Sequence, residues 1–453
     1  MIEMFRPFPF ENNSEQCVYA QLIIRELKIN EDGYENVIVD MSLINNTMID
    51  YEVENCESNK NSPRYFYEFT GQSIWDNHYY DIKDIYYPYL CIKKMQLGEY
   101  NNEIMHKVRI IPIKEDEEII YKREFRKSPA FYGEILFSAS PIIARKAIII
   151  IEDICETPKQ LKRIYDVWNS SIHNSLISDA NGIELELNNV LNYVNNLDVN
   201  IYNVGQANCI YLKMNNEIGA FFDIGITRSM KCRDKESIEQ SLKEISGLDA
   251  KLVILSHWDL DHILGISYAH ESLNDCVWVA PNFLHVYNNV SMSVKRLCNY
   301  LVNSGAKLLL VDESFSNRIV YRSPCHKIEI WKGVEKSVNN ISKANNSGLI
   351  LKLSLNKKFL FLGDCENSVV PNRLRDSYEY VMISHHGSKM SNPNCLLKMS
   401  AINSCAYVSY GEESSGNFHL NDNLEDEYKK LNYRLKKTCD LDFDNVKYKV
   451  SLL

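Results

Sequence analysis

The stretch SHWDLDHILG, Ser256 to Gly265, places two histidines and two aspartates within six positions, His257 to His262. It directly follows KLVIL (251–255), a short apolar run that reads as a buried strand. A loop leaving a strand can turn His257, Asp259, Asp261 and His262 inward together. Four cation-binding groups at a strand end point to a metal site, because ligand sites in α/β sheets collect where strands end.

Two other segments share that form. FLFLGDCE (359–366) puts Asp364 just after an apolar run, and VMISHHGS (381–388) does the same with His385 and His386. Together these ligands exceed what one cation needs and suit two ions sharing a bridging carboxylate. A lone strand-end aspartate is ordinarily a helix cap, and a lone histidine is ordinarily surface or core filler. The set is not explained that way, since its carboxylates would repel one another or stay unpaired.

The rest of the chain sets the frame. With 453 residues, 45% hydrophobic and 24% charged, it is long enough for two or three globular domains. Its formal charge of −10 leaves no basic footprint at whole-chain level, so a nucleic-acid partner must be met locally or through metal ions. Thirteen cysteines at irregular spacing, without a C-x-x-C pair, read as reduced thiols rather than a disulfide framework. The N-terminus shows no secretory pattern, and the longest apolar stretch, around residues 140–156, is interrupted by Arg145 and Lys146. These features predict a cytoplasmic protein with no membrane partner.

Residues 1–150 read as a β-rich domain, a small sandwich or α+β module, from runs such as VYAQLIIREL, NVIVDMSLIN, EEIIYKREF and GEILFSAS. No ligand cluster or phosphate loop is visible in it. Residues 151–196 read as a helical linker. Thr157-Pro158-Lys159-Gln160 has capping-box form, Leu161, Ile164, Tyr165, Trp168 and Ile172 recur at helical spacing, and ELNNVLNYVNNL (186–197) predicts a second helix. From 197 to 453 strands and helices alternate, which predicts an α/β domain. Within it, KESIEQSLKEIS and SMSVKRLCNYLVNSG read as helices and NLEDEYKKLNYRLKK (423–437) as a closing one.

The ordered set of motifs resembles the metallo-β-lactamase superfamily, whose signature is H-x-H-x-D-H followed by later His, Asp and His ligands. It is most similar to the branch typified by the DNA-uptake protein ComEC. NVGQANCIYL, FFDIG, LSHWDLDHILG, NNSGLILKL, FLFLGD, ISHHGSKMSN and AYVSYG…NFHL follow that branch's landmarks in order, over roughly residues 198–453. The resemblance implies an αββα sandwich behind a smaller β-rich N-terminal domain. It implies that His257 and Asp259 hold one metal, Asp261 and His262 the second, and that Asp364 bridges them. His386 aligns better with the late ligand than His385. Asp261 and Asp364 would carry the catalytic duty, with His419 a late-loop contact near the leaving group.

The chain also departs from the pattern. Asn203 and Asn208 replace two aspartates of the early motif, and Ala207 replaces a glycine. Trp258 stands where a small residue is usual, and none of His270, His285 and His326 has the context of the superfamily's middle histidine. A carboxylate at Asp259, where lactamases have imidazole, makes the site harder and favours manganese or magnesium over zinc. Two such ions activate water and neutralise charge developing on non-bridging oxygens. The resulting expectation is a metal-dependent phosphodiesterase, a DNA nuclease in the first instance. The alternatives are a hydrolase of a small nucleotide, lactone or thioester, and a non-catalytic metal-binding protein acting through a partner docked on the N-terminal domain.

Overall fold

The structure is a computed structural model. It describes residues 18–29, 35–45, 49–50, 53, 67–73, 104–112, 130–137, 145–192, 194–227, 235–269, 271–282, 291–334, 340–388, 392–400, 404–410, 423–440 and 446–451. The chain divides into two units, residues 1–170 with 287–297 and residues 171–286 with 298–453.

In the first unit, six strands form a closed barrel: β1 (Val18–Ile29), β2 (Glu35–Asn45), β3 (Tyr67–Ser73), β4 (Ile104–Pro112), β5 (Ala130–Phe137) and β6 (Arg145–Glu156), in the order β1-β2-β3-β5-β6-β4. Closure comes from the antiparallel pairing of Val18 with Val108, and register shifts at Ile24/Glu26 and Lys107/Val108 supply local bend and twist. Among the described residues the first and fourth strands pair, so the β-rich unit closes into a barrel and lacks the edges the expected sandwich would keep. Leu22, Val39, Met41, Phe131 and Ile149 fill the interior. Asp40 and Ser42, on the opposite face of β2, are buried as well. The helix α1 (Lys159–Ser175) covers part of the outside, packing Leu161, Ile164, Tyr165 and Trp168 against Ile44 and Met105. The strand expected at EEIIYKREF lies outside the described residues.

The second unit is two sheets face to face. One contains β7 (Leu176–Ile177), β8 (Asn196–Ile201), β9 (Cys209–Met214), β10 (Ile218–Ile224), β11 (Leu252–Ile254), β12 (Val277–Pro281), β13 (Lys307–Val311) and β21 (Val446–Ser451), ordered β21-β8-β9-β10-β11-β12-β13-β7. The other runs in chain order: β14 (Ile319–Arg322), β15 (Ile328–Lys332), β16 (Leu349–Ser354), β17 (Lys358–Phe361), β18 (Tyr380–Met382), β19 (Ser404–Val408) and β20 (Tyr433–Lys437). Residues alternate between faces. Leu349, Leu351, Phe359, Phe361 and Met382 join Val199, Leu212, Phe222, Ile254 and Val279 in one core between the sheets. Ile350, Leu360, Val381 and Ala406 point the other way, onto a second cluster.

Helices occupy the outer layers. The helices α3 (Lys235–Ser246) and α4 (Met292–Ser304) lie in the crossovers between parallel strands β10 and β11, and β12 and β13. The second sheet fills the inner face, so the α3 crossover takes the outer one, while α4 is divided between the two units, its residues 292–297 falling in the first. On the far side α5 (Leu424–Lys430) packs Leu424 and Tyr428 against the outward residues of the second sheet. The result is the αββα sandwich expected from the sequence.

Two expected helices differ in extent. The second helix, α2, spans Ala180–Leu191 rather than 186–197, because Asp179 caps it by accepting from the Gly182 amide. Its buried Ile183, Leu187 and Leu191 belong to the sandwich core. The closing helix stops at Lys430. Asn432 adopts φ +62°, and YRLKK continues as β20, paired with β19. No helix among the described residues is long and apolar enough to cross a membrane.

Candidate metal centre

Parallel pairing brings the strand ends together. β10 and β11 are in register at Phe222–Ile254, so the FFDIG turn and Ser256 emerge on one edge. In the second sheet β17 and β18 are likewise parallel, which puts Asp364 beside the turn carrying His385 and His386. Leu349 N–H donates to Ser256 O (2.8 Å), tying the two edges to each other. Two glycines permit the close approach. A Cβ on Gly225 would stand 1.9 Å from Asp261 O, and one on Gly363, at φ +55°, would stand 2.4 Å from Ser256 Cβ.

Asp261, His262, Asp364 and His386 converge so that one ligand atom from each lies within 4.8 Å of the others. His386 Nε2 is 3.2 Å from Asp261 Oδ2 and 3.8 Å from Asp364 Oδ1. His262 Nε2 is 3.3 Å from Asp364 Oδ1, out of line for a hydrogen bond. The other carboxylate oxygen of Asp364 faces a second group: Oδ2 is 3.7 Å from His257 Nε2, which is 3.6 Å from Asp259 Oδ2. Asp364 thus stands between a compact four-residue cluster and a looser pair, His257 and Asp259. Asp259 occupies the N-cap position of the turn Leu260–Ile263, yet its side chain makes no capping bond.

Buried atoms at the centre call for a cation. His257 Nε2, His262 Nε2 and Asp364 Oδ1 are buried without a hydrogen-bond partner, a costly state unless something positive or proton-bearing sits between them. Burial alone would push the Asp364 carboxyl up, but His262, His385 and His386 around it hold it well below the usual carboxylate range. Burial would lower the His262 pKa, yet Asp223 and Asp364 raise it well above the ordinary histidine value. Three imidazoles and three carboxylates at these spacings fit divalent ions.

The imidazoles are held from behind. His262 Nδ1 lies 2.8 Å from Asp223 Oδ2. Ser256 donates to the same carboxylate twice, from its amide (2.6 Å) and its hydroxyl (2.8 Å), and that hydroxyl lies 3.0 Å from His257 Nδ1. With its proton committed to Asp223, Ser256 Oγ accepts from His257. Both rings therefore turn Nε2 toward Asp364. Asp223 itself adopts φ +56°, and His385 and His386 adopt +47° and +52°. Left-handed backbone at non-glycine residues costs about 1–3 kcal/mol each and tends to persist where function fixes it.

Other sequence candidates fall as follows. His385 is outside the four-residue cluster, and His419, His270 and His285 lie outside the described residues. His326 is exposed on a turn. Trp258 packs beside the site with Nε1 donating to Pro281 O (2.8 Å). Asn203 braces its own loop, accepting from Gly205 N and donating to Ser237 Oγ. The sequence reading missed Asp223, Ser256 and Ser409. The motif FFDIG was visible, but nothing in its spacing connects Asp223 to a histidine 39 residues away.

No family model and no curated protein matches the chain. Among solved structures, it is similar to a diphosphatase from the PhnP family (TM-score 0.32, 8% identity, 57% of this chain and 100% of that one). It is also similar to CmlA, a diiron β-hydroxylase from Streptomyces venezuelae (0.31, 12%, 56% and 54%), and to a long-form RNase Z from yeast (0.28, 12%, 74% and 53%). Likeness at these scores adds nothing to the fold or chemistry, which rest on the sheets and side chains above.

Proposed function

We propose that the second unit is a metal-dependent phosphodiesterase that cleaves nucleic acid, DNA in the first instance. The observation that carries this reading is the two-sided placement of Asp364, with Oδ2 toward His257 and Oδ1 toward His262 and His386. His257 and Asp259 would hold one ion, Asp261, His262 and His386 the other, and Asp364 both. The oxygen-rich donor set favours Mn²⁺ or Mg²⁺, with Zn²⁺ also within its range. When bound, such a pair supplies Lewis acidity and a water activated near neutral pH.

The chain's own residues do the rest. Asp223 and Ser256 hold His257 and His262 so that both Nε2 atoms face inward. Those two rings are almost fully buried, whereas Asp259 and Asp261 keep 24% and 19% of their side-chain surface, so substrate approaches across the two aspartates. Three carboxylates repel a phosphodiester unless cations intervene, which makes binding itself metal-dependent. The net charge of −10 favours a small phosphodiester as the second reading of the same site.

The test is cleavage of end-labelled single- and double-stranded DNA by the full chain, stripped of metal and resupplied with Mn²⁺, Mg²⁺ or Zn²⁺. Metal-dependent cleavage is expected, with loss of at least about a hundredfold in His257→Ala and Asp364→Ala. Turnover of a cyclic dinucleotide but not DNA would select the second reading. Inactivity on both with every metal would reject the proposal.

A further inference from the structure

Two hydroxyl relays stand behind the candidate metal centre, and they end differently. Ser256 passes from His257 to the carboxylate of Asp223. On the opposite side Ser409 Oγ lies 2.8 Å from His386 Nδ1 and donates to Asn208 Oδ1 at 2.9 Å. His386, Ser409 and Asn208 are all buried, and Asn208 comes from the loop between β8 and β9, 201 residues from Ser409. We propose that Asn208 is a positioning residue, holding hydrogen on His386 Nδ1 through Ser409 and so turning Nε2 toward Asp261 and Asp364. The inference rests on the metal-site reading above.

The logic is proton bookkeeping. A serine hydroxyl has one proton. Donated to Asn208, it leaves Ser409 Oγ as an acceptor, so His386 Nδ1 must carry hydrogen, and Nε2, 3.2 Å from Asp261 Oδ2, is the nitrogen left to meet either that carboxylate or a cation. Without the amide oxygen, Ser409 is free to donate to Nδ1. The ring can then keep its single proton on Nε2, the atom facing the cluster, and a cation binds there only by displacing that proton and breaking the new Ser409 bond. Asn208 thus fills, at the end of its relay, the place that Asp223 fills at the other. A neutral amide polarises the relay less than a carboxylate, so His386 is a weaker donor than an aspartate at 208 would make it.

The test compares Asn208→Ala, Asn208→Asp and Ser409→Ala with the unaltered full chain. Mn²⁺ affinity is measured by calorimetry, and the His386 tautomer by nitrogen NMR of ¹⁵N-histidine-labelled, metal-free protein. Asn208→Ala and Ser409→Ala are expected to bind Mn²⁺ about tenfold more weakly and to shift His386 toward the Nε2–H form. Asn208→Asp is expected to keep the Nδ1–H form and to bind as tightly as the unaltered chain or more so. A wild-type tautomer in Asn208→Ala, or an Asn208→Asp variant as impaired as the alanine, would overturn the proposal. Failure of the unaltered chain to bind any divalent ion would instead reject the metal reading, while the tautomer measurement would still decide the relay.

Discussion

Asp223 serves two imidazoles at once, His262 directly and His257 through Ser256. An asparagine there would turn an N–H donor toward one of those groups and disturb the tautomer it now fixes. Asp223→Asn is therefore expected to weaken Mn²⁺ binding roughly 10- to 100-fold, as removal of such an orienting partner typically does. Competition with a fluorescent chelator measures this, and unchanged affinity would remove Asp223 from the site's machinery. The candidate ligands were legible in the sequence because their residue types recur at three strand ends. The residues behind them were not. A serine or asparagine gives no compositional signal, and its partner lies far along the chain, 201 residues away for Ser409 and Asn208.

At the scale of elements, parallel pairing turns scattered motifs into one edge. β10 beside β11 and β17 beside β18 align the strand ends, and consecutive left-handed His385 and His386 aim the second ring. Hydrophobic periodicity located most of these strands. It failed where a short amphipathic run suits either period. YRLKK follows α5 at helical spacing, yet it leaves the helix at Asn432 to pair with β19. Closure of the barrel was equally hidden, since it depends on β1 meeting β4 some ninety residues later. The barrel also predicts a pH response. His106 in β4 is almost fully buried, and burial outweighs its hydrogen bond to the Ala20 backbone to lower its pKa to about 4. The unfolded chain, near 6.5, then binds more protons between those values, so stability falls as pH drops from 6.5 toward 4, by roughly 3 kcal/mol. Hydrogen-exchange protection of β1 and β4 in urea, compared at pH 7 and 4.5, is expected to show this loss and to show much less of it in His106→Gln. An equal loss in both would assign the acid sensitivity elsewhere.

For the whole molecule, the second unit brings its candidate ligands to the meeting edges of two sheets, and under the proposed function bound cations would let a chain of net charge −10 receive a phosphodiester. The division of labour around Asp364 is the centre of that explanation. Anomalous diffraction from crystals of the full chain grown with Mn²⁺, recorded on both sides of the manganese edge, tests it most directly. Two peaks are expected on either side of the Asp364 carboxylate, one among Asp261, His262 and His386 and the other beside His257 and Asp259. Absence of both, or a peak placed away from Asp364, would contradict it.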